Sequence, residues 1–416
     1  MKSVSPARPS AAVLYFTIDG VLEPIGQSQV LKPILELAAR GVPYVLVSLE
    51  RSADLSDGDR LTQTQALLSA AGVTWHWGKY RQSPGLIGVM GNLVRLWRIG
   101  ARAAARHPIT LYHARGPVPA ALARFLPRRP LLFDFRGYVI DERIDAGRWF
   151  HNKLLLRVAR RVERWVFDRA VAAVSLTELA ASDVRAGRFG PWPDSKPVVV
   201  IPTCVDFDLF ALPRNSGVIP HDIAQRLEGR LVVGFIGSLN ASYRVSEALT
   251  LFAHLKRRRA DAHLLGLTRQ LEPLRVLLRE HGVADGDFTL CAADPRSMPA
   301  WLSHVDWGLH LLEQTEAKRA SMPTKLAEFF ASGVRPVHFG CNEEVTEWVE
   351  RAGSGVVLAS TQMAELERAA QIVAEAEREP EDLDRARRVT RSHFDLHSGV
   401  DRYEALLRGL YPSFGS

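Results

Sequence analysis

LVVGFIGSLNASYRVSEALTLFAHLKRRRADAHLLGL, residues 231–267, is a short apolar run, a helical pattern and a second short apolar run. Parallel strands are buried on both faces and need crossover connections, so apolar runs this short separated by helices mark a parallel sheet. The same alternation continues in both directions. Downstream, Asp287 to Leu290, Asp306 to Leu311, Pro336 to Phe339 and Gly355 to Leu358 read as strands with helices between them. Upstream, strands are predicted at Ala12 to Thr17, Pro43 to Leu49, Val73 to Trp77, Thr110 to His113, Leu131 to Phe135, Ala172 to Ser175 and Val198 to Ile201. Between the two series, Pro213 to Gly229 carries prolines, glycines and weak periodicity and reads as a connector. The prediction is an α/β chain of two doubly wound, Rossmann-like domains: residues 1–205, a linker 206–230, and residues 231–390. A helical segment, 391–416, is expected to pack back on the first domain. Ligands of such sheets bind beyond the carboxyl ends of the strands, so the two domains are expected to face each other across a cleft.

Composition sets the outer bounds. The chain has 416 residues, 47% hydrophobic and 24% charged, which excludes disorder, collagen and coiled coil as overall descriptions. No run approaches roughly 18 apolar residues, and the opening MKSVSPARPS lacks the apolar core of a signal peptide, so a cytoplasmic protein is expected. Cys204, Cys291 and Cys341 show no metal or disulfide spacing and should pack as small apolar side chains. The net charge of +7 is uneven: residues 1–200 hold 28 Lys and Arg against 16 Asp and Glu, and the remainder 25 against 30. A basic first half suits an anionic partner, whether lipid surface, phosphorylated substrate or nucleic acid, or is simply a solvated surface. Nucleic acid would call for interleaved aromatic residues or a known module, and neither occurs.

The candidate functional residues cluster at predicted strand ends. The first strand runs into IDGVLEPIGQSQVLKPILELAARG (18–41), where Pro24 and Gly26 shape a loop opening a helix at about Ser28, with backbone N–H groups suited to an anion. No G-x-G-x-x-G is present. YHARGP (112–117) and FDFRGYVIDERIDAGRW (133–149) place His113, Arg115, Asp134, Arg136, Asp141, Glu142, Arg143 and Asp145 near two strand termini, as a ligand site or as mutual neutralisation. Two helices carry basic faces: Arg95, Arg98, Arg102 and Arg106, then Lys153, Arg157, Arg160, Arg161 and Arg164. The second also aligns Leu154, Val158, Val162 and Trp165, which are expected to be core. The basic faces are solvated surface or a contact for anionic lipid headgroups.

In the second domain Gly237 and Ser238 end a strand, and KRASMPTKLAEFFASGVRPVHFG (318–340) starts a helix at Met322-Pro323-Thr324. Lys325 near that helix start opposes the helix dipole, so it calls for a compensating anion such as phosphate. Glu328, one turn on, could accept hydrogen bonds from a ribose diol or form a salt bridge with Lys325. Asp57/Asp59, Asp206/Asp208 and Asp285/Asp287 match D-x-D, a spacing that could hold a cation on a nucleotide diphosphate. Each sits in a turn or linker context, and no metal is expected.

Together IGQSQVLKPILELAARGVPYVLVSLE (25–50), FDFRGYVIDERIDAGRW, VIPTCVDFDLF (200–210), FIGSLNASYR (235–244) and SMPTKLAEFFASGVRPV (321–337) resemble glycosyltransferase family 4, in order and over nearly the whole chain. The resemblance implies a GT-B fold and a retaining, metal-independent hexosyl transfer from a nucleotide-diphosphate sugar to a glycan or lipid-linked acceptor. Bacterial polysaccharide or glycolipid synthesis is the implied setting, with a possible peripheral place at the inner membrane face. It implies that the first domain holds the acceptor, through Gly26, Gln27, His113, Arg115 and Arg136. The second is implied to hold the donor, through Gly237, Ser238, Arg244, Pro323, Thr324, Lys325 and Glu328. Arg136, Glu142 and Lys325 are the implied catalytic groups. No cofactor is implied, the nucleotide sugar being a substrate. The chain departs from the family pattern at Ala320, where the first glutamate of Glu-x7-Glu would stand. It departs again at Ser238 and Tyr243, where an arginine and a lysine are usual, and at Arg136, where many relatives carry histidine. A nucleotide-sugar 2-epimerase on the same fold and a catalytically degenerate scaffold are the alternatives.

Overall fold

The computed structural model describes residues 11–82, 85–145, 147, 153–214, 217–377 and 380–411. The opening decapeptide, Ala146, Arg148 and Trp149 of the 133–149 segment, and residues 412–416 of the terminal segment lie outside the described residues. The chain forms two compact units, Met1–Pro202 with Gly399–Ser416, and Thr203–Ser398.

The first unit is built on seven parallel strands in the order β3-β2-β1-β4-β5-β6-β7. They are β1 Ala12–Phe16, β2 Tyr44–Arg51, β3 Thr74–Tyr80, β4 Ile109–Arg115, β5 Leu131–Phe135, β6 Ala170–Ser175 and β7 Val198–Val200. The second has six, in the order β10-β9-β8-β11-β12-β13. They are β8 Leu231–Ile236, β9 Ala262–Leu267, β10 Phe288–Cys291, β11 Trp307–Leu311, β12 Arg335–Phe339 and β13 Val356–Val357. The strands β1, β5, β8, β9, β11 and β12 are buried along their whole length, which is why their sequences are mostly apolar, with Asp134, His263, His310, Arg335 and His338 as the buried polar exceptions. In each sheet the strand order reverses once, between β1 and β4 and between β8 and β11. Those reversals open the crevice where doubly wound sheets take their ligands.

Helix α1 (Lys32–Ala39) continues a helical path that begins at Pro24–Gly26 and passes through a wider π turn, Gln27–Leu31. The helix thus starts earlier than the expected Ser28, and Gly26 lies inside it. A Cβ on Gly26 would stand 1.8 Å from the Gly20 carbonyl oxygen, so this glycine serves a close backbone approach and not a loop. Helices α2 (Gly85–Arg106), α3 (Pro117–Ala123), α4 (Val139–Asp145) and α5 (Lys153–Arg169) follow in the first unit. Three of the four α5 residues expected to be core are not: Leu154, Val158 and Val162 are 70%, 51% and 38% exposed, while Trp165 is half-buried. The helix buries Glu163, Val166 and Phe167 instead, on a different arc, with Phe167 edge-on to Phe133 and Phe135.

Residues 206–230 belong to the second unit and are tied into it. Val205 bridges to Asp395, Phe207 N donates to Asp395 Oδ1 at 3.2 Å, and Arg214 pairs with the buried Asp306 at 2.5 Å. Helix α6 (Val245–Arg258) follows β8, and α7 (Thr324–Ser332) runs from β11 to β12. The last helix, α8 (Leu396–Leu410), crosses the boundary between units, and its later residues are fixed in the first. Arg40 pairs with Asp401 at 2.5 Å and Glu404 at 3.0 Å, and Arg402 donates to the Val200 carbonyl.

Candidate functional site

In the second unit, β8 ends at Ile236 and the chain turns through Gly237, whose φ of 117° suits glycine alone. Lys325, at the second position of α7, reaches back to this turn. Its Nζ donates to the Ile236 carbonyl and lies 3.9 Å from the centre of the Tyr243 ring. A Cβ on Gly237 would come within 2.9 Å of that nitrogen, so glycine at 237 makes room for the ammonium. Burial pulls the Lys325 pKa down to about 8, with nearby Glu328 opposing the shift. A cation placed where the helix dipole disfavours it, resting on a carbonyl and an aromatic face with the Glu328 carboxylate nearby, is poised for an anion. Glu328 is half-buried one turn further along, Pro323 caps α7, and Thr324 opens it. Ser238 is exposed, with its hydroxyl accepting from Asn240.

Arg244 lies at the start of α6 with its guanidinium already committed, 2.7 Å from Glu247 and 3.0 Å from Glu313. The resemblance implies that Arg244 holds the donor, and here its guanidinium is paired with two carboxylates. Ala320 is fully buried. Five of the six D-x-D carboxylates are engaged: Asp57 caps a helix through Arg60 N, Asp206 accepts from Leu209 N, Asp208 pairs with Arg391, Asp285 with Arg279, and Asp287 with Lys256, while Asp59 is exposed.

In the first unit the strand ends β1, β4 and β5 gather a charged cluster around Asp134, which is fully buried. Arg115 and Arg136 each approach it at 3.4 Å, and Arg115 also reaches Asp19 at 3.2 Å. Burial alone would raise the Asp134 carboxyl. Arg136 and Arg115, with His113, outweigh it and hold the group below the usual carboxylate range. His113 sits in an aromatic cage, with ring centres 4.5 Å from Tyr15 and 5.5 Å from Tyr403, and with the Tyr44 hydroxyl 3.5 Å from Nδ1. Burial drives its pKa down to about 4 against the pull of Asp134, so the imidazole is neutral at pH 7. Among the described residues His113 Nε2 and Arg136 Nε are buried without a hydrogen-bond partner, an arrangement that leaves donors or acceptors available to a ligand.

Gly26 is buried, and Gln27 spends its side-chain amide on the Val21 carbonyl at 2.7 Å, so this residue shapes the β1 turn. Glu142 is exposed on α4, next to Asp141, which is buried and bonded to Arg160. His113, Arg115 and Arg136 are therefore brought together, as are Gly237 and Lys325. Sequence reasoning missed Asp19, Glu50, Tyr15 and Tyr403. Glu50 is fully buried at the end of β2 and accepts from Val21 N and Leu22 N at 2.9 and 3.0 Å, holding the β1 turn. A lone carboxylate closing the apolar run VLVSLE was its one signal. Tyr403 had none, because α8 brings it from the far end of the chain.

Two parallel doubly wound units with these strand orders define the GT-B glycosyltransferase fold. Sucrose-phosphate synthase from Thermosynechococcus elongatus is 12% identical, with 97% of this chain and 100% of that one covered, at a TM-score of 0.68. HepE from Anabaena, in complex with UDP and glucose, is 14% identical over 96% and 100%, at 0.67. A Listeria monocytogenes protein described as a UDP-N-acetylglucosamine 2-epimerase is 11% identical over 96% and 97%, at 0.65. Residues 28–204 match the glycosyl transferase 4-like domain family, a stretch that takes in most of the first unit. No curated protein matches the chain in sequence.

Proposed function

We propose that this protein is a retaining, metal-independent glycosyltransferase that moves a hexose from a nucleotide-diphosphate sugar to a glycan or lipid-linked acceptor in bacterial polysaccharide or glycolipid synthesis. The observation that carries the reading is the Lys325 ammonium lodged between the Ile236 carbonyl and Tyr243 at the β8 turn. Breaking the bond from sugar C1 to the diphosphate oxygen builds negative charge on the leaving group. Lys325 and the N–H groups opening α7 would stabilise that charge without reorganising. The acceptor oxygen bonds to C1 on the face the diphosphate leaves, and its proton passes to a donor phosphate oxygen, so the protein need supply no general base. Glu328 would hold the ribose, and the Asp134 cluster with Arg136 and His113 would orient the acceptor. HepE, whose structure contains UDP and glucose, supports a uridine nucleotide as the first donor to try.

Thermal unfolding with a panel of nucleotide sugars tests this reading, because a ligand at 100 times its Kd adds about 2.7 kcal/mol of stability. One donor series should stabilise the wild type. Lys325→Ala should forfeit that stabilisation and lower turnover on the order of 10²–10³, the usual cost of losing one preorganised electrostatic contact. Glu328→Gln should mainly weaken nucleotide binding. Turnover and affinity within about threefold of wild type for both variants would leave only a helix-surface ion pair, worth a few tenths of a kcal/mol. The likeness to a described 2-epimerase motivates a second reading. It requires the 2-epimer to form from UDP-N-acetylglucosamine with no acceptor present.

A further inference from the structure

We propose that the face formed by α2, α3 and α5 of the first unit docks on an anionic lipid bilayer. The proposal is independent of the glycosyl-transfer reading. These helices lie side by side. α3 packs against both neighbours, the Trp97 indole of α2 donates to the Phe125 carbonyl just past α3, and Arg124 stacks over Trp165 of α5. Their solvent side is apolar where a soluble surface should be polar. Ile87, Met90 and Val94, on one arc of α2, are 88%, 49% and 41% exposed, and Phe125 is 68% exposed. Leu154, Val158 and Val162 stand one turn apart on α5, as described above. Exposed apolar side chains grouped in this way on adjoining helices mark an interaction site.

Charge tells which partner covers it. On α5 the exposed Arg157, Arg161 and Arg164 occupy the arc next to the apolar one, and on α2 the exposed Arg98 and Arg102 continue the outward stripe where the apolar residues stop. By helical geometry the apolar arc of each helix turns toward α3 and the basic arc away from it. The face thus has an apolar centre and a basic margin. A second copy of this chain would set arginine against arginine. An acyl layer under phosphate headgroups matches both zones at once, as for helices that lie in the membrane interface. No described helix is long and apolar enough to cross a membrane, so the contact is superficial. Beside the face, between α3 and α5, a cavity of about 550 Å³ is rimmed by Arg124, Arg128 and Arg169, a seat for one headgroup.

The test is sedimentation of the full chain with vesicles of equimolar phosphatidylcholine and phosphatidylglycerol, or of phosphatidylcholine alone. Binding should require phosphatidylglycerol and weaken with salt. The pairs Leu154→Glu with Val158→Glu, and Arg157→Glu with Arg161→Glu, should each lower the partition at least about tenfold with unchanged thermal unfolding. If a glutamate pair perturbs unfolding, Leu154→Ser with Val158→Ser replaces it with the same expectation. The proposal is overturned by absence of vesicle binding, by equal binding to both compositions, or by variants that bind as wild type does. A self-associated wild type that Val158→Glu renders monomeric would overturn it too, assigning the face to a second copy.

Discussion

A lysine whose pKa has been drawn down to about 8 by burial is half neutral at a pH where other lysines are charged, and a bound diphosphate would reverse that. The anion favours the ammonium, so nucleotide binding should take up a proton near pH 8, and affinity should fall as the pH rises through 8. Calorimetry of nucleotide binding in buffers of different ionisation enthalpy measures the uptake directly. Lys325→Arg, always charged, should bind without it; equal uptake in that variant would move the titrating group elsewhere. In the other unit, Arg136 is one of two guanidinium groups holding the buried Asp134 ionised. Arg136→Ala should lower transfer strongly while leaving nucleotide affinity nearly unchanged. Joint loss of nucleotide binding and activity would assign Arg136 to the donor site or to folding. Arg136 was visible in the sequence as a charge at the end of an apolar strand, and Lys325 as a cation at a helix start. The tyrosine cage around His113 was not, because Tyr15, Tyr44 and Tyr403 come from three separate elements and read as ordinary core aromatics.

At the scale of elements, the thirteen strands among the described residues coincide with predicted runs to within two or three residues at their ends, since short, mostly apolar runs between helical patterns mark even β3 and β7, which are only partly buried. The misread elements share a cause. Periodicity reveals that a helix has an apolar arc but not what covers it, and so the α5 stripe passes for core while it faces solvent. Likewise Gly26 passes for a loop residue ahead of the helix, because a close approach to Gly20 leaves no trace in local pattern. Two glycines separate the roles. Gly26→Ala would drive a methyl into backbone and should cost about 1–3 kcal/mol or more with nucleotide affinity retained in the folded fraction. Gly237→Ala meets the Lys325 ammonium and strains a φ of 117°, so it should weaken nucleotide binding as well as cost about 1–3 kcal/mol. Thermal midpoints with nucleotide titrations of the folded variants distinguish the two, and equal affinities would place Gly237 outside the donor site.

Across the whole molecule, the division into two units was legible from the two strand series, but the stretch between them was not. Residues 206–230 read as a connector because prolines and glycines interrupt their periodicity, whereas the long-range partners Asp395 and Asp306 that bind this region lie far away in sequence. The attachment of α8 to the first unit raises the question of which contacts hold it. Arg40 and its carboxylates Asp401 and Glu404 are the conspicuous pairs, yet all three side chains keep contact with water, so removing the arginine should cost at most about 1 kcal/mol. Val400 and Leu407 are buried to 1% exposure or less, and the methyl groups of one such leucine are worth several times as much. Leu407→Ala should therefore cost about 2–5 kcal/mol. Because the candidate nucleotide residues all lie in the second unit, both variants should retain wild-type nucleotide affinity, and the loss should appear in the thermal transition of the first unit. A larger loss for Arg40→Ala than for Leu407→Ala would mean that charge, not packing, anchors the last helix.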